Sequence, residues 1–303
     1  MMKHTIRILL CAALLGWSGS AFAQETFATP EAAVDALVGA ARSGDAKAIL
    51  AVLGPDGQAI NSSGDPVADT NVRQNFITAY DAKHAIELEG NGTQTLILGN
   101  DGWPFPIPLA NKSGEWQFDT KEGLDEILRR RVGRNELSTI QVALAYVQAQ
   151  NEYAALDPAG LGHGVYAQRI VSHPGKKDGL YWPTTSGETP SPLGDLAAEA
   201  SAEGYKAGAK PIPYHGYYYR ILTRQGAGAP SGAYDYLVKG KMKGGFALIA
   251  VPAEYGNSGI MTFMVNHDGS VFQKDLGPKT AKLAAKIDAF APDQTWTKVD
   301  NSQ

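Results

Sequence analysis

Residues 217–276 read YYYRILTRQG…GGFALIAVPAEYGNSGIMTFMVNHDGSVFQKDL. These letters form β-rich runs that are separated by glycine-containing turns. The last two runs are joined by Asn266–Gly269, whose Asn-His-Asp-Gly sequence is typical of a tight hairpin turn. We predict four strands from this spacing: Tyr217–Thr223, Phe246–Pro252, Gly259–Val265 and Ser270–Lys274. An antiparallel sheet that follows helices in the chain indicates an α+β fold.

A long helix is predicted immediately before this sheet, over Arg134–Tyr153. Its apolar side chains recur at helical spacing, which predicts one buried stripe, formed by Leu137, Ile140, Leu144 and Val147. The other face carries polar residues such as Asn135 and Gln150. Gly133 is expected to separate this helix from a preceding one over Thr120–Arg131. The basic run 129–131 has two interpretations, an anionic partner or cations that stabilise a helix C-terminus.

The first part of the chain predicts three helices and two hairpins. Thr29 is a favourable N-cap for the first helix, and Asp45 is one for a second helix that ends at Leu53. A third helix is expected over Asp69–Lys83. The Asn91-Gly92 pair favours a hairpin turn. The predicted strands are Ala85–Glu89, Thr93–Leu98, Pro106–Leu109 and Glu115–Phe118.

Residues 157–210 differ from the rest because glycine, proline, serine and alanine dominate them. Within them we predict only a short helix, Leu196–Glu203. A long irregular insertion is often functional or mobile, and the alternative is a packed surface loop held by Tyr181 and Trp182. Outside this insertion, one more helix is expected near the C-terminus, over Pro278–Ala289.

Residues 1–23 have the pattern of a secretory signal peptide, with a basic start, an apolar core and a small-x-small cleavage site ending at Ala23. We therefore expect a periplasmic or extracellular protein. Cleavage would remove Lys3 and Arg7, leaving 25 basic and 31 acidic side chains and a balance of −6. This acidic balance argues against nucleic acid as a partner. No later apolar run is long enough to span a bilayer.

Cys11 is the only cysteine and lies inside the predicted signal peptide. The mature chain therefore has no disulfide, no thiol nucleophile and no cysteine-ligated metal. No cofactor motif is recognisable, because the glycine-rich stretches lack the strand and helix context of a nucleotide site. We predict no cofactor, no metal site and no catalytic set.

The helix sequence RNELSTIQVALAYVQAQNEYA and the strand block that follows it resemble the head domains of pilins and type II secretion pseudopilins. The resemblance implies a long helix packed on an antiparallel sheet. The chain departs from those families because it has no prepilin cleavage motif and no apolar first half of the helix. Polymerisation is therefore not implied.

Residues 28–120 resemble the cone-like folds of the nuclear-transport-factor-two type, with helices followed by a curved antiparallel sheet that ends in Trp-x-Phe-Asp. These resemblances divide the chain into a signal peptide over 1–23, a cone-like domain over 24–132 and a pilin-head-like domain over 133–303.

The whole mature chain is similar to a secreted bacterial family catalogued as domain of unknown function 2950. The match is carried by long runs, among them GWPFPIPL, YHGYYYRIL and PAEYGNSGIMTFMVNHDGSVFQKDLG. This resemblance implies no established activity and no catalytic residues.

A group of residues in the first domain has two interpretations. Asp81 and His84 are three positions apart at a helix end and could form an acid/base pair, with Tyr80 and Trp103 lining a pocket. That interpretation would make the protein a small-molecule-binding, hydrolytic or isomerising enzyme. In the other interpretation, His84 is a surface residue near a helix C-terminus.

Further candidate contacts are aromatic, and three acids are candidate calcium ligands. Tyr181, Trp182 and Tyr218 are candidate binding residues, Tyr218 because it faces the opposite side of its strand from Tyr217 and Tyr219. Oxygen ligands for calcium would come from three acids, Glu254, Asp268 and Asp275. Their spacing fits no EF-hand, and the nearby Asn and Gly residues are also what tight turns require.

The expectation that follows is a secreted or periplasmic binding or assembly protein without catalytic chemistry. Its partner would be another envelope protein or a surface polymer. The enzyme with a pocket in the first domain is the alternative.

Overall fold

The computed structural model describes residues 24–206 and 211–300. The predicted signal peptide, residues 1–23, lies outside the described residues. Within the described ranges, two five-stranded antiparallel sheets occur in sequence, and one long helix runs from the first to the second. This arrangement confirms the α+β class predicted from the sequence.

The chain begins with helices whose N-termini are capped by side chains. Thr29 Oγ1 accepts a hydrogen bond from Ala32 N at 3.1 Å, and Asp45 Oδ1 accepts one from Lys47 N at 2.9 Å. Both predicted caps are confirmed, because these oxygens satisfy N–H groups that have no partner within the helix. The helices are α1 (Pro30–Ser43), α2 (Ala46–Leu53), α3 (Gln58–Asn61) and α4 (Pro66–Ala82), with a 3₁₀ turn at Pro55–Gly57.

Helix α4 begins three residues earlier than the sequence predicted. Asp65 is its N-cap and accepts hydrogen bonds from Val67 N and Ala68 N at 3.2 and 3.1 Å. Pro66 occupies the first helical position, where the missing N–H costs nothing. The boundary at Asp69 was therefore wrong because a stronger start signal lies just before it.

The first sheet has the order β1-β2-β4-β5, and β3 also pairs with β2. Its strands are β1 (His84–Leu88), β2 (Gln94–Leu98), β3 (Trp103–Pro104), β4 (Leu109–Lys112) and β5 (Glu115–Phe118). The hairpin predicted around Asn91-Gly92 is confirmed by the antiparallel pairing of β1 with β2. Strand β4 begins at Leu109 and not at Pro106, since Pro106 and Pro108 have no N–H to donate to a ladder.

A first hydrophobic core lies between this sheet and helices α1 and α2. Ala33, Leu96, Ile107, Leu109 and Phe118 are completely buried in it. Helix α4 covers the core from outside without burying any residue fully.

Helix α5 (Thr120–Leu156) is the longest element of the fold. Its 37 residues give it a length of about 55 Å. The predicted break at Gly133 is wrong, and the predicted domain boundary at 132/133 falls inside this helix. One exposed glycine costs a helix only about 1 kcal/mol, and buried contacts on both sides outweigh that cost.

The predicted apolar stripe of this helix is also wrong in part. Leu137 is 66% exposed, whereas Asn135 and Gln150, expected on the polar face, are buried. Gln150 exchanges two hydrogen bonds with the backbone of Ala167, both at 2.8 Å. Asn135 Nδ2 donates to Ser258 O at 2.9 Å. These amides tolerate burial because their polar atoms are paired.

The insertion packs on the fold through several short contacts. Trp182 is buried, and Tyr181 pairs with Val171 in an isolated bridge. The short predicted helix is present as α6 (Gly194–Ala202). Residues 157–206 therefore form a packed loop, which is the second of the two interpretations. Residues 207–210 lie outside the described residues.

The second sheet has the order β14-β13-β12-β11-β6. The four predicted strands are confirmed within two residues as β6 (Tyr217–Leu222), β11 (Ala247–Pro252), β12 (Met261–Asn266) and β13 (Val271–Asp275). Short strands that the sequence did not predict are β7 (Arg224–Gln225), β8 (Tyr234–Asp235), β9 (Leu237–Val238), β10 (Lys241–Met242) and β14 (Thr297–Lys298).

Helix α5 and the insertion cover this sheet and form a second hydrophobic core. Tyr217, Phe246, Phe263 and Val271 are among its completely buried or nearly buried members. The last helix, α7, spans only Thr280–Ala284, so the prediction of a helix to Ala289 is wrong. Phe290 N donates to Arg224 O at 3.0 Å, and its side chain is buried. This contact holds Phe290 beside Arg224, so the chain leaves the helix before Ala289.

Among the described residues, no helix combines the length and the apolar character that crossing a membrane requires.

Candidate functional site

The residues predicted as an acid/base pair and its pocket, Tyr80, Asp81, His84 and Trp103, lie where the end of α4 joins the first sheet. Gly99 N donates to Ala79 O at 3.1 Å and to Lys83 O at 2.8 Å. These bonds satisfy carbonyl groups that the helix end leaves without a partner. They also fix the position of Tyr80 and His84 relative to strand β2. We call the surface formed by Tyr80, His84 and Trp103 the aromatic end.

Tyr80 and His84 stack on each other at this end. Their ring centroids are 3.8 Å apart, and the ring planes differ by 7°. His84 Nδ1 lies 2.9 Å from Tyr80 O. Because a carbonyl oxygen only accepts, Nδ1 carries the proton in this contact, which leaves Nε2 as an acceptor on an exposed ring.

Asp81 forms an ion pair with Arg42. Both side chains are about half exposed, so the pair contributes little to stability. Tyr80 Oη is 3.4 Å from Asp35 Oδ1. Burial, followed by the negative charge of Asp35, raises the pKa of the Tyr80 phenol, which therefore keeps its proton at neutral pH.

Trp103 lies on the other side of strand β2. His84 and Trp103 both pair with Leu98, one from β1 and one from β3, so the three side chains share a face of the sheet. Two strand spacings place the Cα atoms of His84 and Trp103 about 10 Å apart. Trp103 is 43% exposed. The aromatic end therefore offers two exposed rings on either side of a buried leucine.

Asp81 and His84, which the enzyme interpretation would pair with each other, are each bonded to another partner. An acid/base pair would require Asp81 and His84 to face a common reacting group. Asp81 is instead paired with Arg42, and one nitrogen of His84 is occupied by a backbone carbonyl. The two cavities described for the chain, of about 360 and 550 Å³, are lined by other residues.

The remaining predicted aromatic residues lie elsewhere. Trp182 is only 4% exposed and packs against Tyr153, so a ligand at the surface does not reach its ring. Tyr181 is half-buried. The predicted alternation along β6 is present, since Tyr218 is 40% exposed whereas Tyr217 is buried and Tyr219 half-buried. Neither the insertion nor β6 contributes to the aromatic end.

Sequence reasoning missed a buried polar junction between the two halves of the fold. The guanidinium of Arg131 donates to Ala59 O at 2.6 Å, to Ile60 O at 2.9 Å and to Asn257 Oδ1. The two carbonyls belong to helix α3, whose last C=O groups lack partners of their own. The interpretation of Arg131 as a cation at a helix C-terminus is thus wrong, because α5 continues past it.

A second buried group completes this junction. Asp65 Oδ2 accepts hydrogen bonds from Tyr205 Oη at 2.8 Å and from Gly216 N at 2.9 Å, while Oδ1 caps helix α4. One carboxylate therefore joins the first helices, the end of the insertion and the start of β6. Burial and the bond to Asp65 raise the pKa of Tyr205. The Ser-Gly-Asp sequence of residues 63–65 gave no sign of this role.

A shallow groove opens beside the junction. Its volume is about 360 Å³. Its polar lining comes from Asp56, Gln58, Ser62, Glu254 and Asn257. Asn257 Nδ2 already donates to Ser62 O at 2.7 Å and to Glu254 Oε2 at 2.8 Å. The side-chain amide of Asn257 therefore already forms hydrogen bonds that join the two halves of the fold.

One family model matches residues 24–299, which is nearly the whole chain. The chain belongs to the family described as "Protein of unknown function (DUF2950)". No curated protein and no solved structure shows a significant match to it. The similarities to pilin heads and to cone folds therefore remain expectations drawn from the sequence.

The acids weighed for calcium do not meet in this DUF2950 fold. Glu254 is bonded to Asn257 at the junction, Asp268 accepts from Asn266 at 3.0 Å, and Asp275 accepts from Gly277 N at 2.7 Å. Over residues 24–206 and 211–300, no three His, Cys, Asp or Glu side chains are grouped so that they could hold a metal ion. Each of these acids forms its hydrogen bond within a separate turn.

Proposed function

We propose that the protein is a secreted or periplasmic binding protein without catalytic chemistry, and that it contacts a surface polymer of the cell envelope through the aromatic end. The signal-peptide pattern of residues 1–23 supports the compartment. The single observation that carries the ligand class is the pair of exposed rings, His84 and Trp103, on either side of Leu98.

Exposed aromatic rings suit a polymer that is built from sugar rings. One face of a sugar ring carries mainly C–H groups and stacks on an aromatic ring, while its hydroxyls need hydrogen-bond partners. Trp103 supplies a half-exposed ring. His84 Nε2 supplies an acceptor, and the carboxylate of Asp35 lies 3.4 Å from the Tyr80 hydroxyl. A spacing of about 10 Å between the Cα atoms that carry the two rings suits an extended chain better than a single small molecule.

The chemistry at this end supports binding and not turnover. A nucleophile or general base needs a partner that orients it toward the substrate. The polar groups here are engaged with Arg42 and with the α4 backbone. Aromatic side chains that remain exposed in a folded protein mark contact surfaces.

The first test measures binding of the purified chain from Gln24 onward. Isolated peptidoglycan sacculi and soluble N-acetylglucosamine oligomers serve as probes, and the retained fraction and the dissociation constant are measured. Trp103→Ala removes the exposed ring on which the polymer would stack, and it should weaken binding roughly tenfold or more. Val72→Ala is the matched control, because Val72 is an exposed apolar residue on α4 outside the aromatic end.

Several results would overturn the proposal. If the wild-type chain binds neither probe, or if Trp103→Ala and Val72→Ala bind equally well, the aromatic end is not a polymer site. If crosslinking in envelope fractions instead joins His84 or Trp103 reproducibly to one protein, the partner is an envelope protein. Cell fractionation and N-terminal sequencing check the compartment, and an uncleaved cytoplasmic chain contradicts it.

A further inference from the structure

A second surface combines lysines with exposed aliphatic side chains. Strands β9 and β10 form a hairpin whose sequence, over residues 236–243, is YLVKGKMK. We call this segment the basic hairpin. It carries Lys239, Lys241 and Lys243 and no acid, in a chain whose overall balance is negative.

The hairpin is anchored at its base and exposed at its tip. Tyr236 and Met242 are completely buried, whereas Leu237 is 37% and Val238 is 50% exposed. Lys243 N donates to Tyr236 O at 2.9 Å, which closes the base. The tip therefore presents two aliphatic side chains on a segment that the core holds in place.

The insertion supports the tip and extends its apolar surface. Lys241 Nζ donates to Leu161 O at 2.7 Å, and Gln168 Nε2 donates to Gly240 O at 2.9 Å. Leu161 is itself 39% exposed. Two acids lie nearby: Asp157 accepts hydrogen bonds from the backbone of Leu161 and Gly162, and Asp235 immediately precedes the hairpin. Val238 pairs with Lys241 and shares its face of the hairpin, whereas Leu237 lies on the opposite face, so the tip carries exposed aliphatic side chains on both faces beside its lysines.

The turn of the hairpin places a lysine where lysine is unfavourable. Lys239 and Gly240 both have positive φ values, 51° and 76°. Two-residue turns of this kind favour Asn-Gly, since a left-handed backbone costs most other residues about 1 kcal/mol or more. The presence of a lysine at this unfavourable position indicates that its charge has a role.

We propose that the basic hairpin docks on the surface of an anionic phospholipid bilayer. Lysines next to a membrane are attracted by anionic headgroups, while exposed aliphatic side chains enter the boundary between headgroups and acyl chains. A hydrated polyanion would pair with the lysines but would give Leu237 and Val238 no apolar surroundings. This surface is separate from the aromatic end, and the inference does not rest on what that end binds.

The test measures partition of the chain from Gln24 onward onto vesicles by flotation. One set of vesicles is phosphatidylcholine alone, and the other also contains phosphatidylglycerol. We expect binding to the anionic vesicles, weakened by salt because the attraction is screened. Each lysine near such a surface contributes about fivefold, so Lys239→Asn with Lys243→Gln should lower the partition coefficient roughly 25-fold.

Two further variants separate charge, apolar contact and folding. Leu237→Ser with Val238→Ser should also reduce binding to anionic vesicles. Lys282→Gln with Leu283→Ser is the matched control, because it makes the same kinds of change at an exposed pair on α7 and should bind as the wild type does. Asn tolerates positive φ, so Lys239→Asn should keep or raise Tm, which excludes unfolding as the cause of lost binding.

The proposal fails if the wild-type chain ignores anionic vesicles or binds neutral ones equally well. It also fails if the α7 control loses as much binding as the hairpin variants. If only the lysine variants weaken binding and dextran sulfate competes with the vesicles, the hairpin binds polyanions and not a bilayer.

Discussion

The two sheets of this protein differ in how completely they are buried. Strand β11 is buried at five of its six positions and β12 at five of six. Strand β1 has no fully buried residue, and α4, which lies beside it, has none either. The second sheet is covered by α5 and the insertion, whereas one edge of the first sheet faces solvent. The second half of the chain therefore holds most of the packing, and the first half leaves more side chains exposed for contact.

The largest expected effect tests this difference directly. Phe263→Ala removes a buried ring from the second core, and we expect it to lower the free energy of unfolding by about 3–5 kcal/mol. Phe76→Ala removes a half-buried ring beside the first core, with an expected cost of roughly 1–2 kcal/mol. Urea unfolding of both variants gives the comparison. Equal costs would mean that the two halves are packed equally well.

The next effect concerns the junction that couples the halves. Arg131→Ala leaves Ala59 O, Ile60 O and Asn257 Oδ1 without their buried donor, which should cost roughly 3 kcal/mol. We expect calorimetry to show two transitions where the wild type shows one. Arg130→Ala is the control, since Arg130 is half exposed and pairs only with Glu126, and it should change stability by less than about 1 kcal/mol. A single transition in Arg131→Ala would mean that α5 alone couples the halves.

A smaller effect at the same junction depends on pH. Tyr205→Phe deletes the bond to Asp65 and should cost about 1–2 kcal/mol at pH 7. The folded-state pKa of Tyr205 is raised above its unfolded value of about 10, so its stabilising contribution is complete below pH 10 and is lost as pH rises further. The difference between wild type and variant should therefore shrink above about pH 10. Denaturant titrations from pH 7 to above about pH 10 measure this difference. If it stays constant, ionisation of Tyr205 does not affect the free energy of unfolding.

The smallest effect lies at the start of the first half. Thr29→Ala removes the cap of α1 and should cost about 1 kcal/mol. Thr29→Ser keeps the hydroxyl and serves as its control. Hydrogen exchange should place the loss in the first turn of α1. A loss of protection that also reaches β11 or β12 would contradict the view that the first half responds on its own.

Local sequence rules worked well wherever a nearby side chain or turn decides the structure. The caps at Thr29 and Asp45, the Asn91-Gly92 hairpin and the four main strands of the second sheet were predicted within two residues. They failed where distant contacts decide. Gly133 did not end a helix that is held on both sides, and Gln150 is buried because Ala167, which lies 17 residues later and outside the helix, pairs with it.

The candidate site shows the same division. The sequence placed Tyr80, Asp81 and His84 near one helix end, but it offered two roles for them. The structure adds that Asp81 is paired with Arg42 and that Trp103 joins His84 through the register of β2. Strand register depends on pairing across the chain, which periodicity along one segment does not contain.

The sequence by itself determined the α+β class, the caps, the turns and the order of the main elements, because short-range preferences act on neighbouring residues. Only the tertiary structure decided the continuity of α5, the buried junction of Asp65 and Arg131, and which lysines share a surface with exposed aliphatic residues. Those features depend on partners more than 60 residues away in the sequence, such as Asn257 for Arg131 and Leu161 for Lys241. Such partners meet only when the whole chain packs.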